Sequence, residues 1–458
     1  MPDFNHPEHL IKYIKQSLVS SEKLIKVTIV LILLTLILLQ LYLRLLFIDT
    51  LGYPADYNGF FYLKEIQYRI LHGSGYYVKH SPFFFSLSLA GKWLNLSAET
   101  IVRFLPLFST IIFAIGIWIV AFKRPLLGIF LCGAIFISDA FFYFHYGYAR
   151  QALGISLVVL GFAIWKLNPK KMALAVAGLF IVLLGSVFHL FSAGLAVFLF
   201  FFVEKMPLGK IVGLFAAIGL ISELIRRPKN ILAQLELGRG FEWEFAVAGN
   251  YISKVEWAEY WSFYIITLFA LIILIRSKIW RLLPLCVLFI ALTLPIWSDK
   301  EMFSFRFMLS SISVFFIFMS LLISETQKAN SRFGPERLIL LLFSMLFISK
   351  LCLSDKPRRL GPGMPLQSIT SNIRLLEKWL PKDAFVQAPP GVQYRISYLL
   401  DRASAIKVPK DRLGSQYFQI TMARPGCPEP DQINEQDLKN ISCIQLDKTW
   451  VIRRKSDS

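Results

Sequence analysis

Apolar runs of roughly 15 to 25 residues recur along most of the chain, each long enough at ~1.5 Å per residue to cross a hydrocarbon layer about 30 Å thick. They fall at 27–48, 99–122, 125–138, 150–166, 172–187, 190–203, 210–224, 260–276, 279–297, 306–324 and 338–354, and predict an all-α polytopic membrane bundle of about eleven transmembrane helices. Lys12, Lys15, Lys23 and Lys26 precede the first run, and no small-residue cleavage site follows it. That pattern predicts a retained helix with its amino end in the cytoplasm rather than a secretory signal. The alternate connections then become cytoplasmic, and each holds Lys or Arg: Lys123-Arg124, Lys166 with Lys170-Lys171, Glu204-Lys205, Arg276 with Lys278 and Arg281, and Lys328 to Arg337.

Two stretches break this rhythm. In the first outer loop, residues 57–71 read as an amphipathic helix in the membrane interface, with Lys64, Glu65 and Arg69 on its polar side. The apolar run at 83–94 is too short to span and predicts a second interfacial or half-inserted helix. After residue 354 the helical period gives way to mixed patterning, with a helix over Ile373 to Leu380 and short strands around Phe385 and Trp450. The chain therefore divides into a membrane module, 1–354, and a small C-terminal α+β domain, 355–458. An odd number of spans puts that domain on the periplasmic side of an inner (plasma) membrane, or in a lumen.

Composition supports this division. The chain has 458 residues, of which 55% are hydrophobic and only 17% charged; soluble domains carry about 25% charged residues. That excludes an ordinary soluble enzyme. The net charge, 49 − 30 = +19, would suggest a nucleic-acid partner in a soluble protein. Here many of the cations sit in the connections, where they set topology, and no nucleic acid is needed. Of five cysteines, Cys132, Cys286 and Cys352 lie in apolar runs, while Cys427 and Cys443 share the exported domain and are a candidate disulfide. No CxxC, HExxH or P-loop spacing occurs, so neither a metal nor a cofactor is expected.

Ionisable residues near the outer boundary are the candidates for chemistry. Asp56, with Tyr57, precedes the first interfacial helix, and a carboxylate there either accepts a proton from an acceptor hydroxyl or caps that helix. Lys79 and His80 follow in the same loop. Asp139 and Arg150 flank the second outer loop, where Arg150 either clamps a phosphate or pairs with Asp139. His189 sits at the outward turn between two apolar runs, as ligand contact or as a structural hydrogen-bonding group, and Arg306 opens the tenth span.

The order of these features resembles the GT-C superfamily of membrane glycosyltransferases. The resemblance is carried by Gly52-Tyr-Pro-Ala-Asp56-Tyr57, Gly73-Ser-Gly-Tyr76, Ser81-Pro82, Ala98-Glu99-Thr-Ile-Val-Arg103-Phe-Leu-Pro106, Tyr148-Ala-Arg150-Gln151, Phe188-His189 and Phe305-Arg306-Phe-Met-Leu309. The tail, from Trp379 to Pro389 and through Tyr394 to Arg402, is similar to the outer domain of aminoarabinose- and mannosyl-transferase-type members. The resemblance implies a polyprenyl-phosphate-linked sugar donor, a lipid, glycan or protein acceptor, and inversion at the anomeric carbon. It makes Asp56 the catalytic carboxylate and Asp139 a second catalytic acid. Arg150, Arg306, Lys79, His80, Tyr57 and His189 become substrate or lipid-phosphate contacts. The first loop has no Asp-x-Asp pair, so no metal mechanism is indicated. Tyr148-Ala-Arg150-Gln151, His189 and Asp56-Tyr57 also resemble O-antigen and exopolysaccharide polymerases, and a lipid-linked glycan transporter is a third expectation.

Overall fold

The computed structural model describes residues 27–28, 30–46, 59–76, 78, 81–167, 171–204, 254–293, 303–326, 334–352, 373–388, 392–405, 417–422, 427–429, 432–433, 441–445 and 450–455. They form a mostly helical body with a small C-terminal sheet. Asp56, Tyr57, Lys79, His80 and the apolar run at 210–224 lie outside the described residues.

The helices follow the apolar runs. They are α1 (Val30–Leu46), α2 (Gly59–His72), α3 (Pro82–Leu94), α4 (Ala98–Val120), α5 (Pro125–Ile137), α6 (Asp139–Gly147), α7 (Ala149–Leu167), α8 (Met172–Phe188) and α9 (Leu190–Phe198). After a π-helical turn, Leu199–Val203, come α10 (Lys254–Ser277), α11 (Leu283–Thr293), α12 (Phe303–Glu325) and α13 (Pro335–Cys352). Within the described residues, stretches of α4, α7, α10 and α12 are long and apolar enough to cross a membrane, and the pair α5 and α6, bent by 65°, is a fifth when taken as one span. Four further apolar helical stretches are shorter: α1, α8, α9 with its π turn, and 280–293. This is the composition of a membrane protein. α12 is the axis of the bundle, with Ile312, Phe315, Phe316, Phe318 and Leu322 all fully buried.

α7 and α8 pack closely because glycines face one another across them. A Cβ on Gly161 would lie 2.5 Å from the Gly178 carbonyl oxygen, and one on Gly185 would lie 2.6 Å from that of Gly154. Such small-residue contacts let helix backbones approach where apolar burial alone provides no drive.

Ionic contacts identify the two ends of the bundle. At one end Lys166 of α7 pairs with Glu325 of α12 at 3.2 Å, Arg281 pairs with the same Glu325, and Arg124 pairs with Glu336 while donating to the Thr326 carbonyl at 3.2 Å. These residues come from connections that the positive-inside pattern groups on one side. Glu204, just past the π turn, is within electrostatic reach of Lys166 and belongs to this end. The starts of α7, α10 and α12 and the ends of α1, α8 and α13 meet at the other end.

The segment expected to form the first outer loop departs from expectation in one respect. α2 is present, yet its charged residues do not face water: Lys64, Glu65 and Arg69 are all buried. Glu65 and Arg69 form an ion pair at 3.0 Å, and Arg69 also donates to the Val78 carbonyl. A charge removed from water needs such partners, which explains why the polar stripe turns inward. The Gly73-Ser-Gly75 segment closes over this pair. Gly73, at φ 74, ends the helix in the left-handed region, and Gly75 has no room for a Cβ against Val78, Arg69 and Glu65.

The C-terminal domain comprises α14 (Ile373–Trp379), β1 (Phe385–Gln387), α15 (Val392–Leu399), β2 (Ala403–Ala405), β3 (Tyr417–Met422), β4 (Cys443–Gln445) and β5 (Trp450–Lys455). Its sheet has the order β2-β1-β3-β5-β4, parallel from β2 to β3 and antiparallel around β5. Trp379, Leu380, Val386, Ile396, Phe418, Ile444 and Ile452 form its core. Cys427 and Cys443 are joined as a disulfide. The domain docks on the first loop: Lys64 Nζ donates to Asp401 at 2.6 Å, Tyr398 donates to Glu99 at 2.6 Å, and Tyr398 packs on Phe60.

Candidate functional site

Four helices meet where α7 begins. α8 stops at Phe188 because His189 turns to an extended conformation, and its ring then caps the next helix, Nδ1 accepting from the Phe191 amide at 3.1 Å. Accepting there leaves the proton of a neutral ring on Nε2. Ser192 Oγ closes the turn, 2.6 Å from the His189 carbonyl oxygen and 2.8 Å from that of Gly185. Arg150, in the first turn of α7, donates from Nε to the Phe188 carbonyl at 2.5 Å, so the guanidinium is anchored to the residue before His189. Its neighbour Gln151, buried, donates to Ser310 Oγ of α12 at 2.6 Å. One turn earlier on α12, Phe307 contacts the ring of Phe191, with centroids 6.3 Å apart. Arg306 immediately precedes Phe307, so its backbone belongs to the same junction. The start of α3 closes the group through Phe83, which meets Phe188 edge to face at 5.5 Å.

Three of the residues nominated by sequence, Arg150, His189 and Arg306, thus come from different apolar segments to one end of the bundle. The Arg150 guanidinium and the His189 imidazole at a helix junction can bind an anionic headgroup and orient it. The Tyr76 phenol, between α2 and α3, instead meets Lys64, Tyr68 and the C-terminal domain, and is pushed above its ordinary pKa by burial and by the Asp401 charge.

Asp139 occupies a second cluster, at the break between α5 and α6. Its carboxylate is held by Arg44 of α1 at 2.5 Å and Lys350 of α13 at 2.9 Å. Both cations also donate to the last carbonyls of α5: Arg44 to Ile137 and Ser138, Lys350 to Ile137. From the other side Glu259 of α10, fully buried, accepts from the Ser138 hydroxyl and from the amides of Asp139 and Ala140, at 2.7 to 2.9 Å. A break inside a bundle strands carbonyls and amides that lipid cannot satisfy, and these charges satisfy them.

The alternative of an Asp139–Arg150 pair is not what forms. Asp139 bonds to Arg44 and Lys350, while Arg150 bonds to Phe188, and the nine residues of α6 separate the two. At ~1.5 Å per residue that is about 13 Å along the axis. Sequence reasoning passed over Glu259, Arg44, Lys350 and Ser310, and noted Gln151 only as part of a motif. A signal was available for the first three, since each is ionisable and lies inside or at the very edge of an apolar run. Among the described residues no group of three or more His, Cys, Asp or Glu side chains could hold a metal ion.

No protein-family model matches the chain, and no curated protein matches it.

Proposed function

We propose that this chain is an integral-membrane glycosyltransferase that moves a sugar from a polyprenyl-phosphate donor to an acceptor at the outer face. The observation that carries the reading is the meeting of Arg150, His189 and the first turn of α12 at the end of the bundle on which the C-terminal domain also docks. An acceptor hydroxyl attacks the anomeric carbon, the bond from that carbon to the phosphate oxygen breaks, and the hydroxyl proton passes to Asp56. Negative charge grows on the departing phosphate, and the Arg150 guanidinium, anchored to the Phe188 carbonyl, stabilises it more than water would. Asp139, tied to Arg44 and Lys350, acts in this account by holding α6 rather than by touching substrate.

The full topology belongs to the same proposal: eleven spans, with the amino end cytoplasmic and the C-terminal domain periplasmic. Two facts support it. The C-terminal domain contacts α2 and Glu99, so it shares a side with the first loop. The chain leaves the described residues after Glu204 at one end and resumes with α10 at the opposite end, as one further crossing at 210–224 requires.

A polymerase joining lipid-linked oligosaccharides is the second reading, because Arg150, Gln151 and His189, which carry that resemblance, are the residues that converge.

Purified protein in proteoliposomes, given radiolabelled polyprenyl-phosphate sugars and, separately, diphosphate-linked oligosaccharides, distinguishes the readings by which donor is consumed. Asp56→Asn is expected to keep expression and folding and to abolish transfer; near-normal transfer would remove Asp56 as the base.

A further inference from the structure

The break between α5 and α6 does more than satisfy stranded backbone groups. It is spanned by two acids and two bases contributed by four segments: Arg44 on α1, Asp139 at the break, Glu259 on α10 and Lys350 on α13. The formal charges cancel. The arrangement is ordered by polarity: both cations donate to carbonyls that end α5, and the carboxylate of Glu259 accepts from amides that start α6. Each charge therefore complements the half-charge of the helix end that it faces.

This geometry sets the direction of α6. The bend is 65°, and beyond it α6 runs directly into Tyr148 and then α7, whose first turn carries Arg150. The far side of α6 rests on packed aromatic and polar contacts. Phe141 meets Phe316 of α12 edge to face at 5.6 Å, and His145 Nδ1 shares a hydrogen bond of 2.7 Å with Ser109 of α4. Arg44 also lies over the Phe142 ring at 4.2 Å. Rotating α6 about the break would carry the start of α7 with it and change the reach of Arg150 across the junction.

We infer that Glu259, Arg44 and Lys350 are positioning residues: they fix the angle of the α5–α6 break and thereby place the Arg150 end of α7 for an anionic lipid headgroup. The headgroup part rests on the function proposed above; the mechanical part does not. The distinction gives two separable readouts.

For the first, spin labels are placed at Tyr143→Cys on α6 and Phe180→Cys on α8, in full-length protein carrying Cys352→Ser, and their separation is measured by pulsed electron resonance in nanodiscs. Tyr143 is half-buried and Phe180 exposed, so both accept a label. Glu259→Gln and Lys350→Met are expected to shift or broaden the distance distribution, and Glu259→Asp to restore most of it. For the second, donor kinetics in proteoliposomes are expected to show about a tenfold rise in KM for Glu259→Gln, with kcat changed less than threefold, and recovery with Glu259→Asp.

An unchanged distance distribution in Glu259→Gln and Lys350→Met overturns the positioning role, whatever happens to activity. A shifted distribution in a protein whose wild type transfers no sugar upholds the mechanical part and removes the proposed reaction. Should Glu259→Gln fail to fold, Lys350→Met and Arg44→Gln carry the same comparison, and wild-type distances and KM in both would also overturn the inference.

Discussion

The close approach of α7 and α8 yields a prediction that needs no assumption about chemistry. Gly161→Ala puts a methyl 2.5 Å from the Gly178 carbonyl oxygen and 2.7 Å from the Val182 amide nitrogen, both backbone atoms that cannot swing aside. The helices must separate by most of an ångström, and overpacking of this kind costs about 1–3 kcal/mol. Alanine returns up to ~1 kcal/mol through its better helix propensity. The net expectation is destabilisation by roughly 1–2 kcal/mol, the middle of the range these two effects leave. Gly178→Ala meets the Gly161 carbonyl oxygen at 2.7 Å, so it opens the same seam. Once the seam is open the second methyl costs little, and the double variant should lose clearly less than the sum of the two. Gly194→Ala on α9 is the control, because a Cβ there meets nothing within 4 Å, and it should be neutral or stabilising. Thermal or denaturant unfolding in a mild detergent measures all four proteins. A Gly161→Ala protein as stable as wild type, or strict additivity of the pair, would refute the close approach.

Three further outcomes follow from the structure. Arg150→Lys keeps the charge but cannot reproduce the anchored, planar fork, so donor kcat/KM should fall by roughly 10- to 100-fold, while Gln151→Glu should disturb the Ser310 contact and act on stability first. The hydrogen bond from Lys64 holds the Asp401 carboxyl below its ordinary value. A depressed carboxylate contributes stability above its unfolded pKa, about 3.9, and loses it as pH falls through the folded value. Docking of the C-terminal domain, followed by hydrogen exchange in α15, should therefore be unchanged from pH 7 to 5 and loosen below about 4. Asp401 is mostly exposed, so the contribution is at most ~1 kcal/mol. Cys427→Ser with Cys443→Ser opens a link across 16 residues and should cost the C-terminal domain about 2–4 kcal/mol, read as earlier unfolding of its tryptophan fluorescence.

The helices were legible because each rests on a local pattern. The run at 150–166 became Ala149–Leu167, that at 172–187 became Met172–Phe188, and the stop after Ile137 marks the end of α5. In the C-terminal domain the helix at Ile373 and the strands at Phe385 and Trp450 were equally visible. Contacts across long sequence separations were not. Arg44 and Asp139, or Ser138 and Glu259, are joined over roughly a hundred residues, and no periodicity records which boundary charge meets which. The same limit explains α2: its amphipathic pattern was real, but the polar stripe serves an internal ion pair and the docked domain instead of water. His189 combined both situations, its position at a helix junction being readable and its bond to the Phe191 amide not.

The measurement that bears most directly on the central claim is sugar transfer by the purified chain in proteoliposomes. A set of radiolabelled polyprenyl-phosphate and polyprenyl-diphosphate donors is compared between wild type and Arg150→Gln, at matched folding by thermal unfolding. The account predicts transfer from at least one polyprenyl-phosphate donor by wild type and a loss of at least tenfold in Arg150→Gln. Folded wild-type protein that consumes none of these donors, or an Arg150→Gln protein that consumes them at the wild-type rate, would contradict it.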